Sequence, residues 1–289
     1  MKRQKHIVVS DKVLCSGCSA CTAVCPKACI TMHKDAMGSG YPVVDTSMCI
    51  ECGYCVRVCP FRNPGAELAP AGCFAAVNRD DRVRLKSSSG GVFNALARSV
   101  VSSGGVVFGA VFRRDWMVEH VSEESMEGVA RMMGSKYTQS DTLSTFVETR
   151  KHLLSGRTVL YTGTPCQIAG LNHFLRKDFP NLITVEVICH GAPERGVWRD
   201  YLKELLARPT GERAGKNSVL PPLKDQDVVI DDIAFRDKRN GWKKYGFALL
   251  PASADGGREN TVFAPVYQPF QENAFMKAFL RNWSLRPSC

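Results

Sequence analysis

Eight cysteines in this sequence repeat one spacing. Cys15, Cys18, Cys21 and Cys25 stand before Pro26, and Cys49, Cys52, Cys55 and Cys59 stand before Pro60. Three thiolates two residues apart can wrap a tight loop around one iron–sulfide cubane, while the fourth, pushed onto the next helical turn, reaches a second one. The spacing therefore predicts two 4Fe-4S clusters with exchanged ligands: Cys15, Cys18, Cys21 and Cys59 around the first, and Cys49, Cys52, Cys55 and Cys25 around the second. Zinc is the competing reading. It takes four ligands in two close pairs, which three evenly spaced cysteines before a Cys-Pro do not supply.

The doubled motif is the signature of bacterial two-cluster ferredoxins. Gly17 and Gly53 permit the tight backbone that turns amide N–H groups toward sulfide. Between the motifs, Ile30 to His33 and Tyr41 to Val44 flank Asp35, Gly38 and Gly40, predicting a β-hairpin that shields the clusters from water. Cys29, four residues after Cys25, and the isolated Cys73 read as packing residues.

A second group of residues lies farther along. Lys86-Ser87-Ser88-Ser89-Gly90-Gly91 opens the periodic run Val92, Phe93, Leu96, Ala97, Val100, Val101, a helix of about three turns. Small hydroxyls and glycines at a helix start expose backbone N–H groups at the positive end of the dipole, which suits a phosphate. A plain serine N-cap with a glycine turn is the alternative. Lys136, in Gly134-Ser135-Lys136-Tyr137, reads by itself as a solvated lysine. A strand at Thr158 to Thr162 runs into Gly163-Thr164-Pro165-Cys166-Gln167 and then a helix from Ile168 to Arg176, the kind of corner where α/β domains place ligands. The strand Leu182 to Ile188 ends at Cys189-His190-Gly191. Either these two cysteines converge on one sheet edge, or they are buried core thiols.

The elements that must position these residues fit 289 residues, enough for two or three domains. Turn-formers between Asn63 and Gly72 mark a boundary. The expected fold class is α+β: a small ferredoxin-like domain over residues 1–72, then a mixed α/β body over 73–156, with the serine–glycine loop, and 157–289. Hairpin strands are expected at Val228 to Arg236 and Gly246 to Leu250 around Asn240-Gly241, with a polar loop over 208–218. Apolar residues at 44% and charged residues at 23% describe a globular protein. The longest apolar stretch, Val92 to Phe112, is broken by Asn94, Arg98 and Ser102 to Gly105, so no membrane span is expected. With no secretory signal at the start and cysteines at metal-ligand spacing, the cytoplasm is the expected location. The formal charge of +10 falls to about +6 once two clusters at −2 each are counted. That surface can steer an acidic partner. No basic run with interleaved aromatics points to nucleic acid.

Taken in order, Lys86 to Gly91, Gly134 to Tyr137, Gly163 to Gln167, Cys189-His190-Gly191, Phe235-Arg236-Asp237-Lys238 with Gly241-Trp242, and Leu285-Arg286-Pro287-Ser288-Cys289 resemble the beta subunits of coenzyme F-420 hydrogenases and dehydrogenases. The likeness covers nearly the whole chain. It implies an FAD with its phosphates over Lys86, Ser87, Ser88, Ser89, Gly90 and Gly91, with Thr164 and Lys136 as further contacts and Lys136 as the candidate catalytic residue. It also implies that Cys166, Cys189 and Cys289 belong to a cysteine set for a third 4Fe-4S cluster beside the flavin. In the family the terminal stretch continues into further cysteine-bearing sequence, so this chain is expected to be truncated and that set incomplete. The implied function is an FAD-dependent iron–sulfur oxidoreductase linking F-420, or another two-electron substrate, to ferredoxin or a redox partner subunit. The alternative is a non-catalytic ferredoxin-like electron-transfer or adaptor subunit of a larger redox complex.

Overall fold

The computed structural model describes residues 5–65, 69–142, 144–207, 230–251 and 266–289. It is an α+β chain with a small cysteine-rich unit in front of a larger body. The front unit contains the antiparallel hairpin β1 (Ile30–Lys34) and β2 (Gly40–Val44), in register from Ile30 opposite Val44 to Lys34 opposite Gly40. It also has two helical turns, α1 (Ala20–Ala23) and α2 (Tyr54–Arg57), one inside each cysteine motif. The motifs match in backbone as well as spacing. Gly17 and Glu51, just before each second cysteine, have φ of 69° and 53°; Ser19 and Gly53, just after it, have 63° and 70°. Left-handed backbone on both sides of that cysteine curls the loop. Each motif places its glycine at a different one of the two positions, leaving Glu51 and Ser19 in a region that costs a side chain about 1 kcal/mol.

A short helix, α3 (Asp81–Lys86), leads into the body, and α4 (Val92–Ser102) follows where the apolar periodicity predicts it. The main sheet has the order β5-β4-β3-β6-β7. Its strands are β3 (Val106–Phe112), β4 (Val118–Glu123), β5 (Ser140–Asp141), β6 (Val159–Gly163) and β7 (Leu182–Glu186). β3, β6 and β7 run parallel, and β4 is antiparallel to β3. Alternation divides the sheet's side chains between two faces. Val107, Val111 and Leu160 pack with α4 and α5 (Met126–Met132). Val106, Phe108, Val159 and Tyr161 pack with α6 (Thr145–Leu154) and α7 (Pro165–Leu175), and this core also takes in Ala20 and Val58 of the front unit. The two units thus share a hydrophobic core.

A second, antiparallel sheet of order β10-β9-β8 combines β8 (Ile230–Asp237), β9 (Gly246–Pro251) and β10 (Val266–Pro269). It packs on α8 (Arg195–Ala207) and α9 (Ala274–Leu280) around Trp198, whose indole N–H donates to the Trp116 carbonyl at 2.8 Å. The predicted β8–β9 hairpin is present, with Gly241 at φ 100° in its connection. The polar loop expected over 208–218 lies outside the described residues. Among the described residues no helix is long and apolar enough to cross a membrane.

Candidate functional site

Two cavities open in the front unit. One is lined by Cys15, Cys18, Cys21 and Cys59, with Ser16 and the hairpin residues Met32 and Pro42. The other is lined by Cys25, Cys49, Cys52 and Cys55, with Cys29 and Ile30. Each draws three cysteines from one motif and the fourth from the other, because α1 and α2 carry the chain past one cavity toward its neighbour. Burial pushes the Cys18 thiol up to about 12 and Cys21 higher still, and neighbouring cysteines push both the same way. Thiols so buried, with Cys15 raised as well, cannot ionise side by side without a cationic core. Among the described residues no three Cys, His, Asp or Glu side chains converge on a single-ion site. A cubane meets both conditions, since its irons bring the charge and each takes one sulfur at a separate corner. The Ser16 hydroxyl, buried without a partner at the first cavity, is a spare donor for such a group.

Backbone donors reach the second cavity. At Cys25 burial opposes ionisation, but the N–H groups of Cys29, Lys27 and Ala28 outweigh it and hold the thiol below its usual value. The Ile7 N–H donates to Cys55 Sγ at 3.2 Å. Cys29 is buried as a packing residue would be, yet its sulfur lies 3.5 Å from that of Cys25.

The body grips the loop of the first cavity. Gln139 donates to the Ser16 carbonyl at 2.6 Å, Thr142 to that of Cys18 at 3.0 Å, and Arg286 to that of Cys15 at 2.9 Å. Helix α7 lies so near that a Cβ on Gly170 would sit 3.0 Å from Cys18 Sγ. At the hairpin tip the Gly196 N–H donates to the Met37 carbonyl at 2.7 Å, and Ser39 donates to the Glu194 carboxylate. We call the first cavity inner and the second outer. Sequence reasoning missed Gln139 and Thr142, which belong to no motif, and gave Arg286 no role of its own.

The remaining candidates collect at the carboxyl edge of β3, β6 and β7, the usual ligand edge of such a sheet. Thr164 is the N-cap of α7, with its N–H bonded to the Gln167 side chain at 3.0 Å and its hydroxyl 3.2 Å from Cys166 Sγ. Desolvation raises the Cys189 thiol, with smaller contributions in the same direction from Cys166 and Cys289, and a Cβ on Gly191 would lie 3.3 Å from that of Cys289. Cys166 adds in the same way to the shift at Cys18. Cys189 and Cys289 are exposed, so they are not core thiols.

The serine–glycine loop joins α3 to α4. The N-cap of α4 is Gly91, left-handed at φ 80° and without a side-chain cap, so the plain serine N-cap is not what forms. Ser87 instead bonds back to the Val83 carbonyl at 2.7 Å, Ser88 accepts the Ser135 N–H at 2.6 Å, and Ser89 is exposed. Gly90 is required by packing alone: a Cβ there would lie 2.5 Å from the Ala76 carbonyl oxygen. Lys238 donates to the Arg84 carbonyl at 2.5 Å, beside Lys86 at the end of α3. Tyr137 stacks on Phe235 at 5.2 Å and meets Phe279 at 4.7 Å, and His190 meets Phe279 at 4.9 Å. Motifs separated by up to about a hundred residues therefore touch.

Lys136 is half-buried rather than solvated. Its ammonium donates to the carbonyls of Met133 at 3.2 Å, Gly134 at 3.3 Å and Met132 at 3.4 Å, around the C-terminus of α5, where the helix dipole is negative. Burial brings its pKa down to about 8.

Comparison with known proteins agrees with the front unit. Residues 14–63 match the family described as 4Fe-4S dicluster domain. No curated protein matches the chain at a significant level. Among solved structures, a chain of the F-420-reducing NiFe hydrogenase complex from Methanosarcina barkeri is similar at 17% identity with a TM-score of 0.42, over 74% of this chain and 62% of that one. The present chain thus spans less than two thirds of that neighbour's length. Its front unit is a two-cluster iron–sulfur electron-transfer domain, carried on an α+β body.

Proposed function

We propose that the chain is a cytoplasmic FAD-dependent iron–sulfur oxidoreductase working between coenzyme F-420, or another two-electron carrier, and a one-electron partner, either a ferredoxin or a redox subunit. When bound, FAD supplies two-electron chemistry and each 4Fe-4S cluster one-electron steps. In this reading Cys15, Cys18, Cys21 and Cys59 hold the inner cluster, and Cys49, Cys52, Cys55 and Cys25 the outer one. The uncapped start of α4, with Lys86 and the Ser87 to Gly91 loop, holds the FAD phosphates, and Thr164 adds a contact. Lys136, mostly charged at neutral pH, contributes positive potential beside that loop and is the candidate catalytic residue. Cys166, Cys189 and Cys289 contribute to a third cluster. The carrying observation is α7: its backbone at Gly170 lies against Cys18, while its first turn bears Cys166.

Anaerobic purification with iron, sulfide and flavin counted tests this directly. About eight irons from the front unit, any from a third site besides, and one FAD per chain are expected. Ser89→Asp places an anion on an exposed loop position without touching the Ala76 packing at Gly90. It should weaken FAD binding at least tenfold by charge repulsion and leave iron unchanged. Iron without flavin, and no FAD affinity on titration, would replace the enzyme with the adaptor reading.

A further inference from the structure

Arg286 is a buried cation without a visible anion. Its side chain is 2% exposed, and its hydrogen bonds go to neutral acceptors: Nε to the Cys15 carbonyl at 2.9 Å, Nη1 to Gln139 Oε1 at 2.9 Å, and Nη2 to the Gly40 carbonyl at 2.8 Å. The guanidinium also lies 4.3 Å from the centre of the Tyr41 ring, and Nη2 is 4.0 Å from Cys15 Sγ. Arg195, the other arginine buried in this part of the body, pairs with Asp141 at 2.5 Å; Arg286 pairs with no carboxylate among the described residues. An uncompensated buried guanidinium is costly, and arginine cannot shed its proton. Carbonyls and a ring face satisfy its N–H groups but leave its charge unmatched. The anion that fits is a thiolate-held cluster, at −2 oxidised and −3 after accepting one electron.

We propose that Arg286 is the fixed countercharge of the inner cluster, favouring its reduced state and so raising its reduction potential. The inference rests on the cluster assignment above. It also explains why the two motifs differ where their backbones agree. Gly17 and Glu51 occupy equivalent left-handed positions, but a Cβ at Gly17 would sit 3.0 Å from Arg286 Nη1. The first motif suits glycine there because the guanidinium fills the space; the second carries Glu51, whose carboxylate pairs with Lys5. Arginine rather than lysine suits the site, since its planar fork bonds the cysteine loop through Cys15 and the hairpin through Gly40 together. Arg286 is a positioning residue in this sense: it acts on the cluster through the medium around Cys15.

The test is an anaerobic redox titration of the full chain with its clusters, followed by electron paramagnetic resonance. Arg286→Gln should shift one cluster's reduction equilibrium roughly tenfold to a hundredfold toward the oxidised state, about 60–120 mV lower at 59 mV per decade for one electron. The other cluster should not move. Arg286→Lys, which keeps the charge, should recover most of the shift, whereas loss of a merely structural contact would treat both variants alike. Should the substituted chains fail to take up iron, the unsubstituted residue still decides. Protein carrying Arg62→Gln, to silence the arginine that lines the inner cavity itself, and labelled with 15N-arginine should show a nitrogen coupling on the inner cluster's signal in pulsed measurements, from Arg286 beside Cys15. Both clusters present in Arg286→Gln with unchanged potentials, or no such coupling, overturns the proposal. Protein without iron defeats the cluster assignment instead.

Discussion

Replacing cysteines in pairs separates exchanged from unexchanged ligation. Cys59 lines the inner cavity with Cys15, Cys18 and Cys21, while Cys49 lines the outer one. Cys15→Ala with Cys59→Ala therefore removes two ligands from the inner set and none from the outer. One intact 4Fe-4S cluster should survive there, leaving about half the front unit's iron and sulfide and the reduced spectrum of one isolated cluster. Cys49→Ala with Cys59→Ala takes one ligand from each set. Both sites are then left with three thiolates, so neither should hold an intact four-iron cluster. With each motif serving its own cluster, the outcomes would be reversed. Both pairs are made in a Cys29→Ala background, because the Cys29 sulfur, 3.5 Å from that of Cys25 and hydrogen-bonded to Cys49 in the same cavity, is placed to replace either as ligand. Iron and sulfide analysis with spectra at both oxidation levels reads the result. An intact four-iron cluster in the Cys49/Cys59 pair, with none in the Cys15/Cys59 pair, would refute the assignment.

Two further predictions concern the body. His120 on β4 is 5% exposed, its Nε2–H donating to the Thr162 carbonyl at 2.9 Å and its Nδ1 unpartnered, and burial lowers its pKa from 6.5 to about 4. Between those values the unfolded chain binds the proton and the folded chain does not, so stability should fall by up to about 3 kcal/mol as pH drops from 6.5 to 4. Denaturation midpoints across that range should lose this slope in His120→Gln; an equal slope in both proteins contradicts the account. Trp198→Ala empties the centre of an aromatic cluster that includes Phe235, Phe247 and Phe275 and frees the Trp116 carbonyl. It should cost about 3–5 kcal/mol by chemical denaturation, and a loss below about 1 kcal/mol would mean that this core collapses around the gap.

The cysteine motifs were legible because their chemistry is local: spacing along the chain sets which sulfurs share a loop. The hairpin, α4 and the β6–α7 corner were legible for a related reason, since period and capping residues are written within a dozen positions. The helix expected from Ile168 starts three residues earlier, at Pro165, because Thr164 and Gln167 cap it reciprocally. The short α3 went unread because Asp81 to Lys86 is mostly charged and carries no apolar stripe. Helix α9 went unread because Ala274 to Leu280 is apolar on most positions and gains its place only by packing against α8 and β9. Lys136 read as solvated because nothing nearby in sequence announces the carbonyls that gather around its ammonium. Gln139 and Thr142 are invisible for the same reason: their partners are more than a hundred residues away.

A unit built from two matching motifs has no direction of its own, so direction must come from what its surroundings do to one motif and not the other. At the first motif the carbonyls of Cys15, Ser16 and Cys18 are all taken by side chains of the body. At the second, the Cys52 carbonyl is met from within the unit by Arg57 at 3.3 Å, and Ile50 stands 57% exposed at the cavity's rim. The outer cavity thus opens beside exposed residues, Ile50 and Lys27, while Lys5 at its edge pairs with Glu51. At the inner loop α7 lies against Cys18 instead, and the exposed apolar residues of that cavity, Val8, Leu14 and Phe61, lie away from it. Nothing in the cysteine spacing decides which motif faces inward; that choice is made by Gly17, which admits Arg286, and by Gly170, which admits Cys18. Two glycines with no metal-binding capacity therefore join Gln139 and Thr142 in setting which site stands against the body.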